Sequence, residues 1–314
     1  MDKPRAIVGI GASAGGLNAL RRVVAQLPSD FPAAVVVVSH FPEYGFSALP
    51  GILQRSGSLP ASHVERNETL SGGRIFVAPP GRHTYVTDGR LQLNVGPHEN
   101  GQRPSIDVLF RSVALSYRQH AVGVILSGML DDGAAGLRSI VRAGGRAVVQ
   151  SPGDAEFPDM PRAALASNPE ALVCTAEQIG QHLIELLEPI AVNNHPESPS
   201  QHDPPLAPFS CPECGGPLRE EDPSIPTFRC RVGHAYSIAS LVEGNLRASE
   251  ASLWMTIRSS EERAELLRRL IDRARERADT EHAAGYERLH RSAVETAQRL
   301  RAMLADSGRE QEVS

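Results

Sequence analysis

Gly11-Ala12-Ser13-Ala14-Gly15 spells G-x-S-x-G directly after the apolar run Ala6–Ile10. That order is how a strand-to-helix turn presents a nucleophilic serine. Glycines on both sides allow a sharp turn and keep Cβ atoms away from an approaching ester. A helix starting near Gly15 aims backbone N–H groups and a partial positive charge at the same spot. Two other readings fit these residues. Gly9, Gly11 and Gly15 form a loose dinucleotide-binding pattern, and Ser13 could simply cap the following helix. The nucleotide reading wants an acid near the end of the second strand to hold a ribose, and the chain has Ser39-His40 there.

A serine nucleophile needs a base, and the base needs a carboxylate to fix its tautomer and stabilise the imidazolium. His40 closes the second apolar run, Ala33–Val38, and Asp131-Asp132-Gly133 follows the run Val122–Leu126. In an open parallel sheet such strand ends share one edge, where ligands bind. Taken singly, His40 reads as a satisfied strand-end histidine and either aspartate as a helix cap. Ser13, His40 and one of the two aspartates on three such ends read together as a nucleophile with its base and orienting acid.

A second constellation lies late in the chain. Cys211-Pro212-Glu213-Cys214 is followed after fifteen residues by Cys230-Arg231-Val232-Gly233-His234. The pattern C-x2-C, then C-x3-H, suits two tight knuckles around one tetrahedral zinc. Four protein ligands leave no position for water, so the predicted zinc is structural, and its binding would supply the folding free energy of so small a segment. The alternative is a reduced, metal-free loop. Cys174, in Leu172-Val173-Cys174, reads as a buried strand residue.

The elements that must position these groups follow from the hydrophobic pattern. Strands are expected at Ala6–Ile10, Ala33–Val38, Arg74–Ala78, Val122–Leu126 and Arg146–Val149. Amphipathic helices are expected at Leu17–Leu27, Ile106–Ser116, Ala134–Ala143, Pro161–Ser167 and Ala176–Leu187. The alternation predicts an α/β fold with a doubly wound, mainly parallel sheet. Between Arg82 and Val95 a period of two flanks Asp88-Gly89, which predicts an antiparallel hairpin. The expected domains are 1–189 catalytic, 190–209 linker, 210–238 zinc ribbon and 239–308 helical tail. In the tail an apolar stripe runs from Leu246 to Ala278, and Gly285 is the expected break of a helical hairpin or coil. Its 12 arginines against 11 acids between Leu246 and Asp306 fit a solvated, ion-paired face.

Composition bounds the possibilities. The 314 residues allow about two domains. Hydrophobic residues at 41% and charged residues at 22% are typical of globular chains. A net charge of −5 argues against a dedicated nucleic-acid partner. No apolar run is long enough for membrane insertion and no leader is visible, so a cytoplasmic location is expected.

Gly9–Gly16, Ser39-His40-Phe41-Pro42, Arg103–Phe110 and Gly123–Gly133 together resemble the catalytic domain of the CheB-type chemotaxis protein-glutamate methylesterases, in order and from Ala6 to about Glu188. The resemblance implies a triad of Ser13, His40 and Asp132, an oxyanion contact from the Met129 backbone N–H, and no cofactor for catalysis. It implies hydrolysis of glutamate γ-methyl esters on chemoreceptor-type proteins through an acyl-Ser13 intermediate, with methanol released and glutamine deamidation as a related activity. His83 matches a family position for which the sequence offers no role. Three departures stand out. Family members usually carry an N-terminal receiver domain, whereas Ser13 comes early here, so control by a partner or constitutive activity is expected. Ala14 replaces a common threonine, and Leu130 replaces a common glycine. A catalytically weak signalling scaffold, binding partners through ribbon and helices, is the alternative from another class. A homo-oligomer formed through the tail is a further expectation.

Overall fold

The computed structural model describes residues 4–40, 47–187, 206–221 and 226–311. Phe41 and Pro42 of the histidine motif lie outside these residues, as does 190–205 of the expected linker. The chain divides into two compact units, Met1–Leu241 and Val242–Ser314.

In chain order the first unit runs β1 (Ile7–Ala12), α1 (Gly16–Val24), β2 (Ala34–Ser39), α2 (Leu49–Ser56), β3 (Ala61–His63), β4 (Glu68–Thr69) and β5 (Arg74–Val77). It continues through β6 (His83–Thr87), β7 (Arg90–Asn94), α3 (Ile106–Tyr117), β8 (Ala121–Ile125), α4 (Ala134–Arg142) and β9 (Arg146–Gln150). Next come α5 (Asp159–Ser167), β10 (Leu172–Cys174), α6 (Ala176–Leu186), β11 (Leu206–Ser210), β12 (Pro217–Glu220), β13 (Thr227–Cys230) and β14 (Ala235–Ser237). Two long helices follow, α7 (Ile238–Glu276) and α8 (Thr280–Gln311).

The main sheet has seven strands in the order β10-β9-β8-β1-β2-β5-β3, every pair parallel. Its central strands are buried on both faces, which is why they read as continuous Val/Ile runs. Alternation still sorts them. Val8, Ile10, Val35 and Val37 face a layer with α1, α2 and α6, while Ile7, Val36 and Val38 face α3, α4 and α5. Gly11 in β1 is required by close packing, because a Cβ there would lie 2.5 Å from Ile106 at the start of α3. The missing side chain lets the N-terminus of α3 come up against the strand.

The expected hairpin is β6–β7, with Asp88 and Gly89 both at positive φ in the turn. It joins β4 in a separate three-stranded sheet. The segment at 206–221 and 226–237 forms a four-stranded antiparallel sheet, β11-β12-β13-β14. Two expectations need correction. The last residues of the expected linker, 206–209, belong to β11, which pairs with β12. Gly285 lies inside α8, and the break comes at Arg277–Asp279. There Ala278 adopts φ 55, Asp279 N–H donates back to the Ala274 carbonyl, and the Asp279 carboxylate accepts from His282 N–H to cap α8. A helix ends where its caps are satisfied, and a half-buried glycine a few residues further on costs too little to end it.

Within the second unit α7 and α8 are antiparallel. Arg275 pairs with Glu287 at 2.7 Å and Arg301 with Glu261 at 2.7 Å. Ile257, Leu267 and Ile271 bury one face of α7, and Ala283, Ala293 and Ala297 bury one face of α8.

Candidate active site

Three adjacent strands deliver the three groups. Ala12 of β1 pairs with Ser39 of β2, and Gly11 pairs with Ile125 of β8. Ser13 and His40 therefore follow neighbouring strand ends, and Asp132 hangs from the loop after β8. The chain passes from β1 outward to β2 and β5, then returns to β8 on the other side of β1, so the site sits at the topological switch point.

Ser13 Oγ lies 3.1 Å from His40 Nδ1, and His40 Nε2 lies 2.8 Å from Asp132 Oδ2. Asp132 can only accept when ionised, so Nε2 carries the hydrogen and Nδ1 presents its lone pair to the serine. Serine thus meets the δ nitrogen and aspartate the ε nitrogen. Ser13 does not cap α1. Gly15 occupies that position at φ 68, with no side-chain capping bond. A Cβ on Gly15 would come within 2.7 Å of the Glu156 Cβ.

Asp132 is nearly fully buried, 3% exposed, which is tolerable only with several donors. Its Oδ1 accepts from Asn100 Nδ2 at 2.9 Å, Ser105 Oγ at 2.9 Å and Asp107 N–H at 3.2 Å. Its Oδ2 accepts from Ile106 N–H at 2.7 Å as well as from His40. Ile106 and Asp107 are the first residues of α3, so the carboxylate occupies a helix N-terminus and completes its open amides. Burial pushes the Asp132 carboxyl up, but the bonds from His40, Ile106 and Asn100 outweigh it and hold the group below the usual carboxylate range. Asp131 turns the other way, accepting from Ser237 Oγ at 2.7 Å.

Met129, the expected oxyanion donor, lies in a loop fixed on both sides. Ser127 O accepts from Ser13 N–H at 2.9 Å, and Gly128 exchanges backbone bonds with Phe157 and Met160. Among the described residues the Met129 N–H has no acceptor, and its side chain is half exposed. Leu130 next to it adopts φ 60, a left-handed conformation that disfavours leucine.

His83 acquires a role here. Its Nε2–H donates to the Pro97 carbonyl at 2.8 Å, and its Nδ1 accepts from Ser105 N–H at 3.3 Å. Burial lowers its pKa, so it stays neutral while pinning both ends of the loop that carries Asn100 and Ser105. Sequence reasoning missed Asn100, Ser105 and Asp107 as partners of Asp132. One signal was available. Asn100-Gly101, like Asp88-Gly89, is a tight turn with both residues at positive φ, and Glu99 and Gln102 exchange backbone bonds across it.

Cys211, Cys214, Cys230 and His234 come together, with ligand atoms all within 4.8 Å of one another, a set that could hold a metal ion. Cys214 Sγ and Cys230 Sγ are 3.7 Å apart, and His234 Nδ1 is 3.6 Å from Cys211 Sγ and 3.5 Å from Cys230 Sγ. Tetrahedral zinc with ordinary Zn–S and Zn–N bonds spaces its ligands by about 3.5–3.8 Å, so the donor set fits. The outer contacts fit as well. His234 Nε2 faces Glu213 at 3.1 Å, and Tyr236 OH donates to the same carboxylate at 2.8 Å, which fixes the ring with Nδ1 toward the cluster.

Residues 8–183 match the family described as CheB methylesterase. A protein-glutamate methylesterase/protein-glutamine glutaminase of Anaeromyxobacter dehalogenans is 39% identical over 181 residues, covering 57% of this chain and 53% of that protein. A Leptospira interrogans relative whose name pairs the same two activities is 36% identical over 178 residues, 56% of this chain and 92% of that protein. The crystal structure of the Thermotoga maritima CheB methylesterase catalytic domain aligns with a TM-score of 0.55 and 29% identity, covering 58% of this chain and 98% of that domain. The chain thus spans about half of the Anaeromyxobacter relative, and the matched region ends before the cysteine segment.

Proposed function

Because the chain belongs to the CheB methylesterase family, we propose that it hydrolyses glutamate γ-methyl esters on chemoreceptor-type proteins, with Ser13 as nucleophile, His40 as base and Asp132 as orienting acid. The observation that carries this reading is the continuous path Ser13–His40–Asp132, at 3.1 and 2.8 Å, on one edge of the sheet.

His40 Nδ1 takes the Ser13 proton as Oγ attacks the ester carbonyl. The Met129 N–H, aimed from its fixed loop, stabilises the oxyanion, and Asp132 stabilises the imidazolium. Collapse expels methoxide, which leaves as methanol with the Nδ1 proton. Water then attacks the acyl-Ser13 ester, giving its proton to His40, and the free glutamate departs with the proton returned to Oγ. The same steps on a glutamine side chain expel ammonia, in keeping with the paired activities in the relatives' names.

The catalytic segment is 1–189, joined by 190–205 to a ribbon that begins with β11 at Leu206, runs to 238 and binds a structural zinc through Cys211, Cys214, Cys230 and His234. The helical segment at 239–308 is an oligomerisation element, supported by the exposed Leu246, Trp254 and Met255 on α7. The location is cytoplasmic, in keeping with the absence among the described residues of any helix long and apolar enough to cross a membrane. The direct test is methanol release from methyl-labelled chemoreceptor by wild type and Ser13→Ala. Release by the wild type that vanishes in the variant supports the reading. No release by either, with no Ser13-dependent labelling by a fluorophosphonate, overturns it.

A further inference from the structure

The ribbon and the catalytic aspartate meet at one side chain. Asn100 donates both amide hydrogens inward, to Asp132 Oδ1 at 2.9 Å and to Asp107 Oδ2 at 2.8 Å. Its Oδ1 accepts from the other direction, from Ser237 N–H at 3.0 Å and Ser240 Oγ at 3.0 Å. A backbone N–H can only donate, so the ribbon side fixes which way the amide points. Rotated by half a turn, Asn100 would place its oxygen against two buried carboxyls and its hydrogens against donors.

The backbone of Asn100 is held by the same strand. Its N–H donates to the Ala235 carbonyl at 2.8 Å, and Ala235 N–H donates to His98 O at 3.3 Å. Ala235 directly follows His234, the last residue of the Cys3His cluster. Ser237 and Ser240 bond each other reciprocally at the start of α7, Ser237 N–H to Ser240 Oγ at 2.9 Å and Ser240 N–H to Ser237 Oγ at 3.0 Å. Arg229 of β13 pairs with Glu99, the residue before Asn100, at 3.2 Å. The ribbon's own core is small, chiefly Leu218, Phe228, Tyr236 and Leu241 around the cysteines, so its order depends on the cluster.

We propose that the metal-bound ribbon is a working part of the active site: it orients Asn100, and Asn100 is a positioning residue that holds Asp132 in the geometry His40 needs. Metal occupancy then sets the esterase rate although the metal touches no substrate. This inference rests on the esterase reading of Ser13, His40 and Asp132 and on the metal reading of the cluster.

The test uses the full chain, zinc-loaded and chelator-stripped, beside Ser240→Ala and Asn100→Ala. Three quantities are read: hydrogen exchange at the Ile106 and Asp107 amides, the downfield proton resonance of His40 Nε2–H, and kcat and KM for methanol release. Stripping is expected to speed exchange at Ile106 and Asp107 and to broaden the His40 resonance, with kcat lowered and KM unchanged. Ser240→Ala keeps all four ligands, so its zinc content should stay at the wild-type level. Its kcat should fall about fivefold, the equivalent of roughly 1 kcal/mol for one hydrogen bond. Unchanged exchange at Ile106 and Asp107 in stripped protein whose ribbon amides have lost protection would overturn the coupling. So would full kcat in both Ser240→Ala and Asn100→Ala. If no Ser13-dependent turnover exists, the esterase reading fails, while exchange and the His40 resonance still decide the coupling. If the chain takes up no zinc, the metal reading fails, and the two variants decide it through the same two signals.

Discussion

Asp107 and Asp132 are two buried carboxyls bridged by a single Asn100 amide, and the structure drives their protonation apart. Burial, and then the charge on Asp132, push the Asp107 carboxyl up to about 7, whereas Asp132 is held below the usual range by its donors despite burial. Asp107 also accepts from Gly136 N–H at 2.6 Å, tying the start of α3 to α4. One carboxyl is free to stay ionised beside His40 because its neighbour gives up its charge first.

A pH dependence of stability follows. Asp107 has its folded pKa raised, so its stabilising contribution is full below the unfolded value of about 3.9 and is lost as pH rises toward about 7. Asp132 has its folded pKa lowered, so its contribution is present above the unfolded value and lost as pH falls through the folded one. Asp107→Asn is expected to flatten the fall in stability between about pH 4 and 7. The measurement is hydrogen exchange of β1 and β8 core amides across that range in both proteins. An unchanged slope would show that Asp107 is ionised in the folded state.

Removing the nucleophile or the base should abolish turnover without unfolding. Ser13 and His40 are only partly buried and bond chiefly to each other and to Asp132. Ser13→Ala and His40→Ala are each expected to lower kcat by about 10⁴-fold or more. Melting temperatures should stay near wild type. Substantial turnover in Ser13→Ala would mean that another group attacks the ester.

Asp132→Asn separates charge from geometry. The amide fits the same space, but its NH₂ would face His40 Nε2 or the amides of Ile106 and Asp107, all donors. The expected outcome is a kcat loss of about 10⁴-fold together with reduced stability from the unmatched donors. Steady-state kinetics and denaturant titration check the two halves. Retained activity would assign the orienting role to another acid.

Removal of the proposed zinc should act locally on folding. With only a few apolar residues around Cys211, Cys214, Cys230 and His234, the proposed ribbon would owe its order to the metal, whereas the seven-stranded sheet has core layers of its own on both faces. Treatment with a chelator is expected to erase exchange protection over Cys211–His234 and leave β1, β2 and β8 protected. Global unfolding would mean that the sheet needs the ribbon for stability.

The parallel core and the meeting of Ser13, His40 and Asp132 at one sheet edge were legible because each rests on short-range chemistry. Apolar runs gave β1, β2, β5, β8 and β9 within a residue or two, and catalytic groups at strand ends had one edge on which to meet. The donors around Asp132 were not legible, because Asn100, Ser105 and Ile106 reach it across about thirty residues of chain, a distance that only the folded loop closes. The short β3 and β4, with 3 and 2 residues, carry too little pattern to read. The Cys and His spacing was visible, but nothing in it said that the ribbon would turn Ser237 and Ser240 toward the active site. Gly285 misled because it is a glycine in the right place for a turn, while Asp279 supplied the cap that decides where α8 begins.

Leu130 offers a test of stored strain beside Met129, the proposed oxyanion donor. At φ 60 a leucine costs about 1–2 kcal/mol relative to the right-handed region, and such residues persist where the surroundings over-determine them. The loop from Ser127 to Asp132 is fixed at Ser127 and Gly128 by bonds to the β1–α1 turn and to residues 157–160, and at Asp132 by α3. Leucine restricts the segment between those anchors, and with it the Met129 N–H. Leu130→Gly removes the strain but also enlarges the unfolded ensemble, at a cost of about 0.5–1 kcal/mol. The net expectation is a stability gain of between zero and about 1.5 kcal/mol. Because a looser loop aims the Met129 N–H less well, kcat should fall while KM holds. Denaturant unfolding and methanol-release kinetics on the same preparation read both. A gain in stability with unchanged kcat would show that Leu130 does not aim the Met129 N–H, and a loss of stability would show that leucine packing outweighs the backbone strain.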